Sequence, residues 1–311
     1  MPVQVLHGRK EGPVVFICAA VHGDEINGVE VIRRLARLGT LRRLKGTLIA
    51  IPIVNVFGFH NRSRYLPDRR DLNRSLPGSK RGSIAGRLGH LFFDEIVQHC
   101  DLGIDLHTAA IHRDNLPQIR ADLLDPILRP LAEAFGAPVV LHSDLMDGSL
   151  RRAAAELGIP VMVYEAGEAL RFDEISIRIG VRGVVNVLRR LAMLPAAKRP
   201  VRPPAVLRSS LWIRAEQSGI LRTVCPLGCA VSKGSVLGLI SDPLGERETP
   251  ITAPVDGVLI GRTNLPLVYG GEALFHLGRT RNADDVLRHL EEVQAEVEAE
   301  SPDLAENPPI V

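Results

Sequence analysis

Short apolar runs rich in Val and Ile alternate with longer amphipathic runs through the first two thirds of the chain, and no other feature limits the fold as tightly. The apolar runs lie at 13–21, 46–54, 101–107, 137–142 and 159–167. Their shortness and composition suit strands covered on both faces. Amphipathic runs at 27–38, 83–100, 124–136, 148–158 and 172–194 have helical spacing. Several end at Gly with Pro close behind, a common helix stop. Strands alternating with helices predict an α/β layer fold, with a mainly parallel sheet flanked by helices over residues 1–194.

The pattern then changes. "PAAKRPVRPPAV" (195–206) is basic and Pro-rich and reads as a semi-rigid linker. Over 207–280 helical spacing disappears, and short apolar pieces separated by Gly, Pro and Asp predict a small all-β unit of closely spaced hairpins. Residues 281–311 carry an acidic stretch of helical spacing and end in "SPDLAENPPIV", whose composition predicts disorder.

A length of 311 residues allows a large core and two domains. The net charge of +2 gives no reason to expect nucleic acid or an anionic membrane, and an aromatic share of 4% argues against a base-stacking surface. No apolar run approaches the roughly 20 residues that span a bilayer. The start, "MPVQVLHGRKEGP", lacks the layout of a signal peptide, so the expected location is the cytoplasm. Four cysteines in such a chain make no disulfide framework. Cys18 reads as a small buried hydrophobe, while the spacing of Cys225 and Cys229 leaves a zinc knuckle as a weak alternative.

Four polar clusters interrupt the α/β pattern where ligands are commonly held, near the carboxyl ends of strands. In "HGDE", His22 and Glu25 sit three apart at a strand-to-helix turn, able to reach one point or simply to serve the surface, and Asp24 is placed to cap the helix. His107 closes the apolar run "GIDLH". Two histidines and one carboxylate form a set that suits zinc with a fourth position left for water, the alternative being ordinary strand-end residues. "RYLPDRRDLNRSLPG" (64–78) crowds Arg64, Arg69, Arg70 and Arg74 with Asp71 and Asn73, either as a solvated basic loop or as a clamp for a carboxylate. Glu165 follows a mostly apolar strand, where an acid is costly unless it faces a polar cavity, and Glu168 is expected to be the more exposed of the two.

"HGDE", "RDLNRSLPG", "DLHTA" and "YEAGE", in this order, resemble the succinylglutamate desuccinylase and aspartoacylase family of zinc amidohydrolases. The resemblance runs from about Val14 to Thr280. It implies a fold similar to zinc carboxypeptidases and one zinc ion per chain on His22, Glu25 and His107. Glu165 matches the general base, Asn73 and Arg74 the pair that binds the substrate's carboxylate, and Asp71 an acid that orients the first zinc histidine. Arg64 resembles the arginine that polarises the scissile carbonyl, with Arg69 and Arg70 as rivals.

The implied substrate is a small N-acyl amino acid or N-acyl amine. A carboxypeptidase acting on short peptides and a non-catalytic ligand-binding homologue are the alternatives. The C-terminal unit resembles the barrel-sandwich shape of biotinyl and lipoyl carriers. The matching turn, "SDPLGERETPI", has no lysine, and Lys233 lies on an earlier turn, so the unit is expected to cap or assemble. Together with the acidic helix it offers surfaces for self-association. Tyr269 is expected either to reach over the pocket or to pack.

Overall fold

A computed structural model describes residues 1–197, 200–280 and 283–299. The N-terminal half contains strands β1 (Gln4–His7), β2 (Val14–Ala19), β3 (Thr47–Ile51), β4 (Leu102–Ala109), β5 (Arg113–Ala121), β6 (Val139–His142) and β7 (Val161–Glu168). Its helices are α1 (Asn27–Leu35), α2 (Val56–His60), α3 (Ile84–Glu95), α4 (Leu128–Phe135), α5 (Leu150–Ala155) and α6 (Glu174–Arg190). Each of the five expected strands and five expected helices has its counterpart here, within a few residues at the ends.

Strands β1 and β5 were not legible. β1 is a short, largely exposed strand at the sheet edge. β5 reads "RDNLPQIRA", with Asp, Asn and Pro, residue types depleted in strands. It forms a strand because its neighbours pair with it on both sides and one of its faces lines a polar cavity.

The second half contributes β8 (Ala205–Leu207), β9 (Ser210–Arg214), β10 (Gly219–Thr223), β11 (Ala230–Val231), β12 (Val236–Ser241), β13 (Glu248–Thr252), β14 (Gly257–Thr263), β15 (Leu267–Val268) and β16 (Ala273–Arg279). Helix α7 covers Ala283–Ala299, and the expectation of disorder for the residues beyond it lies outside the described residues. β8 begins inside the Pro-rich stretch and pairs with β6 in parallel.

Among the described residues one mixed sheet of 12 strands runs through most of the molecule; nine follow the order β1-β3-β2-β4-β7-β5-β14-β16-β9, and β6, β8 and β11 branch from it. β2, β3, β4 and β7 are parallel to their neighbours within that group, whereas β5 is antiparallel to β7. β5 forks: residues 113–115 pair with β14 and residues 118–121 with β6. A second, antiparallel sheet holds β13, β12, β10 and β15.

On one face of the large sheet, Val31, Ile32 and Leu35 of α1, Phe135 of α4, and Ile177 and Val184 of α6 pack over Ile17, Leu48, Ile104 and Tyr164. On the other, Phe92 and Phe93 of α3 and Leu150 of α5 cover Phe16, Cys18 and Val161. A third core joins the two sheets through Leu221, Leu237, Ile240, Leu259, Phe275 and Leu277. Truncating one of the fully buried aromatics, such as Phe92, would cost about 3–5 kcal/mol.

Cys18 is fully buried, as its run implies. Cys225 and Cys229 pair as a disulfide, the short loop between them bringing the two sulfurs together.

Candidate active site

His22 and Glu25 lie in the turn between β2 and α1. The turn is held tightly against α2: a Cβ on Gly23 would fall 2.0 Å from the carbonyl carbon of Gly58, so no larger residue fits. Asp24 does not cap the helix as expected. Ile26 holds the N-cap position without a side-chain bond, and Asp24 is buried with its Oδ1 unpartnered, so burial raises its carboxyl above the ordinary range. His107 comes from β4, the sheet neighbour of β2, whose end brings it beside the turn.

The three side chains converge. His22 Nδ1 lies 2.7 Å from Glu25 Oε1, His107 Nδ1 lies 2.7 Å from Glu25 Oε2, and the two Nδ1 atoms are 3.2 Å apart. Each imidazole gives its other nitrogen to an acid: His22 Nε2 is 3.1 Å from Asp71 Oδ1, and His107 Nε2 is 2.7 Å from Asp105 Oδ2. An ionised carboxylate only accepts, and each ring has one beside both of its nitrogens; a proton held on Nε2 by Asp71 or Asp105 would leave the two Nδ1 lone pairs facing one another and Glu25. Such a convergence of acceptors requires positive charge, supplied by protons or by a metal ion.

Opposite charges favour one another across this cluster. Burial alone would raise Glu25, but the adjacent His22 and His107 outweigh it and hold the carboxyl far below its ordinary value. Burial would likewise lower His107, yet Asp105 and Glu25 push it well above. Two nitrogens and a carboxylate, each bearing a hydrogen-bonded partner behind it, fit a divalent cation of the zinc type.

Around this point lies a cavity of about 270 Å³. Its walls include Arg64, Asn73, Arg74 and Glu165, all expected at the site. Arg64 donates through Nη1 to Glu25 Oε1 at 3.0 Å and through Nη2 to Asp71 Oδ2 at 3.1 Å. Its rivals Arg69 and Arg70 are exposed and do not line the cavity. Asn73 Oδ1 accepts from the Leu150 amide at 2.8 Å, which leaves its NH2 free to donate. Arg74 is exposed, with its guanidinium on the Asn73 carbonyl and the Met146 sulfur. Glu165 Oε2 accepts from Asn115 Nδ2 at 2.8 Å, and Oε1 stands 3.3 Å from Arg120 Nη1.

Glu168 departs from expectation. Its side chain is largely buried, accepting from the His112 amide and Asn264 Nδ2 and pairing with Arg171, because β7 continues past Glu165 into a junction with the β14 loop. Tyr269 is three-quarters exposed and does not line the cavity. That place is taken by Trp212 of β9, the only tryptophan, with Arg113 5.4 Å from its ring centre.

Asp105, Asn115, Arg120 and Arg151 are cavity residues that sequence reasoning missed. Asp105 had a readable signal: an acid two residues before His107 in a strand shares its face. Asn115 and Arg120 lie on the unread β5, and Arg151 sits in an ordinary amphipathic helix pattern.

Fold and donor set together describe an α/β protein able to hold one metal ion beside a further carboxylate and several arginines. The chain belongs to the succinylglutamate desuccinylase/aspartoacylase family, whose catalytic domain matches residues 11–191. It is similar to the N-alpha-acetyl-L-2,4-diaminobutyric acid deacetylase of Halomonas elongata, with 28% identity over 276 residues, 84% of this chain and 80% of the relative. Among solved structures, the product-bound ectoine utilization protein EutE (DoeB) of Ruegeria pomeroyi superposes with a TM-score of 0.81 at 25% identity, covering 90% of this chain and 89% of that one. A succinylglutamate desuccinylase/aspartoacylase of Rhodobacter sphaeroides gives 0.80 at 28% identity, with 90% and 89% covered.

Proposed function

We propose that the protein is a zinc-dependent amidohydrolase that removes the acyl group from a small N-acyl amino acid or related N-acyl amine. The observation that carries this reading is the meeting of His22 Nδ1, Glu25 and His107 Nδ1 in one cavity with Glu165 and Arg74. The deacetylase activity named for the Halomonas relative supports an amide of an amino acid as substrate.

His22, Glu25 and His107 would hold the zinc, one ion per chain. When bound, the metal supplies Lewis acidity toward water and toward the carbonyl. Arg74 and the free NH2 of Asn73 grip the substrate's carboxylate, converting binding into orientation. Arg64, braced by Glu25 and Asp71, keeps one N–H on each terminal nitrogen to polarise the scissile carbonyl. Glu165 accepts the proton of the attacking water and delivers it to the departing nitrogen. Asp71 and Asp105 fix the tautomer and direction of the two imidazoles. Trp212 of β9 and Arg113 of β5 add to the cavity wall, and a small acyl amide fits a cavity of about 270 Å³.

The test is a hydrolysis screen of N-acetyl, N-succinyl and other N-acyl amino acids, with zinc measured on the same sample. Turnover of at least one amide is expected. Protein carrying one zinc per chain that cleaves none of them would falsify the reading.

A further inference from the structure

The register between β5 and β7 is broken opposite Glu165. Arg120 faces Val163 and Gln118 faces Glu165, yet the next pair along is Asn115 with Gly167. Three steps on β5 therefore answer two on β7, a bulge at Leu116–Pro117. Proline suits that place, since a bulge residue has no ladder bond to donate.

The bulge decides which way Asn115 points. Strand alternation without it would turn Asn115 to the opposite face from Gln118 and Arg120. With it, Arg113, Asn115 and Arg120 all line the metal cavity, while Asp114 and Leu116 line the cavity against α6, which Asn115 also borders. Asn115 is buried, and its Nδ2 meets Glu165 Oε2 at 2.8 Å. Behind it, Gly261 of β14 pairs with Asn115, and a Cβ there would lie 2.8 Å from Asn115 Oδ1. The amide is thus held between a bulge, a glycine and the carboxylate.

A base that takes a proton from one atom and gives it to another must keep a fixed direction. We propose that Asn115 is the positioning residue for Glu165: its amide pins Oε2 and so leaves Oε1, the oxygen 3.3 Å from Arg120 Nη1, to meet the reacting water, and the Leu116–Pro117 bulge delivers the amide there. This rests on the hydrolase reading above.

Two variants approach Asn115 from different sides. Asn115→Asp keeps the shape but removes the donor and sets a like charge beside Glu165. Gly261→Ala lies outside the cavity lining and displaces the amide from behind. Both should lower kcat by on the order of tenfold or more, with KM within about twofold of the parent. Metal content and Tm should stay near parental values. The acidic limb of the kcat/KM profile should move to higher pH in Asn115→Asp and stay in place in Gly261→Ala.

Variants that are folded and metal-loaded, with kcat within about twofold of the parent, overturn the proposal. So does a joint fall in kcat and Tm with the acidic limb unmoved in Asn115→Asp, which marks a structural role. If the parent cleaves no amide, the hydrolase reading fails separately, and nitrogen-15 NMR judges the contact. The Asn115 side-chain signals, assigned by their loss in Asn115→Asp, must then shift in Glu165→Ala; signals that stay put refute it.

Discussion

His22 and His107 bring their Nδ1 atoms to 3.2 Å of each other while each hands Nε2 to a buried or half-buried acid. The pair is a product of sheet order: β2 and β4 are neighbours, so one residue past the first strand and one near the end of the second share a corner. That arrangement makes the acids behind the rings as consequential as the rings.

Asp105→Asn removes the strong acceptor behind His107 while keeping its shape. Zinc affinity should fall about 10- to 100-fold. Competition against a chelator of known affinity measures this, and an affinity equal to the parent's would count against a role for Asp105.

Glu165→Gln should retain zinc and lose turnover by about 10²- to 10⁴-fold, the usual range for a positioned proton-transfer group. Metal analysis and steady-state rates on one preparation decide it. Near-normal turnover removes Glu165 from the mechanism.

For Arg74→Ala, the exposed guanidinium is lost without disturbing a buried pair. KM should rise by on the order of tenfold or more, with kcat changing less. An unaltered KM would dispose of the carboxylate clamp.

Asp114 lies on the far face of β5, where burial first, then the neighbouring charges of Asp173 and Glu168, push its carboxyl up to about 6, with Arg262 opposing. The native state therefore holds this proton more tightly than the unfolded chain does. The stability it contributes is full below about pH 4 and is lost as pH rises through 6. Asp114→Asn should stabilise the protein at pH 7.5 by roughly 1 kcal/mol, allowing for solvent screening, and by nothing at pH 4. Urea titrations at the two pH values test this; equal effects at both would exclude the carboxyl as the source.

The parts of the site visible in the sequence were the crowded polar loop that holds Arg64, Asp71, Asn73 and Arg74, and the places at which an apolar run stops abruptly: His22 and Glu25 after β2, His107 near the end of β4, Glu165 in β7. Polarity at such ends stands out against Val and Ile. Asp105 escaped because it lies inside an apolar strand, where only its distance from His107 betrays it. β5 escaped because the residues that serve the cavity, Asn115 and Arg120, and the proline that aims one of them, erase the composition by which strands are recognised. Glu168 shows the reverse error: a charge near a strand end looked solvated, but Asn264 arrives from far along the chain to partner it. Long-range pairing of this kind leaves no local mark.

The fork of β5 has a consequence for how this chain can be divided. The stretch matching the family's catalytic domain stops at residue 191, yet β5 completes its hydrogen bonding on β14 and the cavity takes a wall from β9. Cutting after that stretch would bare a raw sheet border beside Asn115, an invitation to self-adhesion. Enzyme engineers seeking a minimal catalyst would have to graft a substitute border strand before any trimming could succeed.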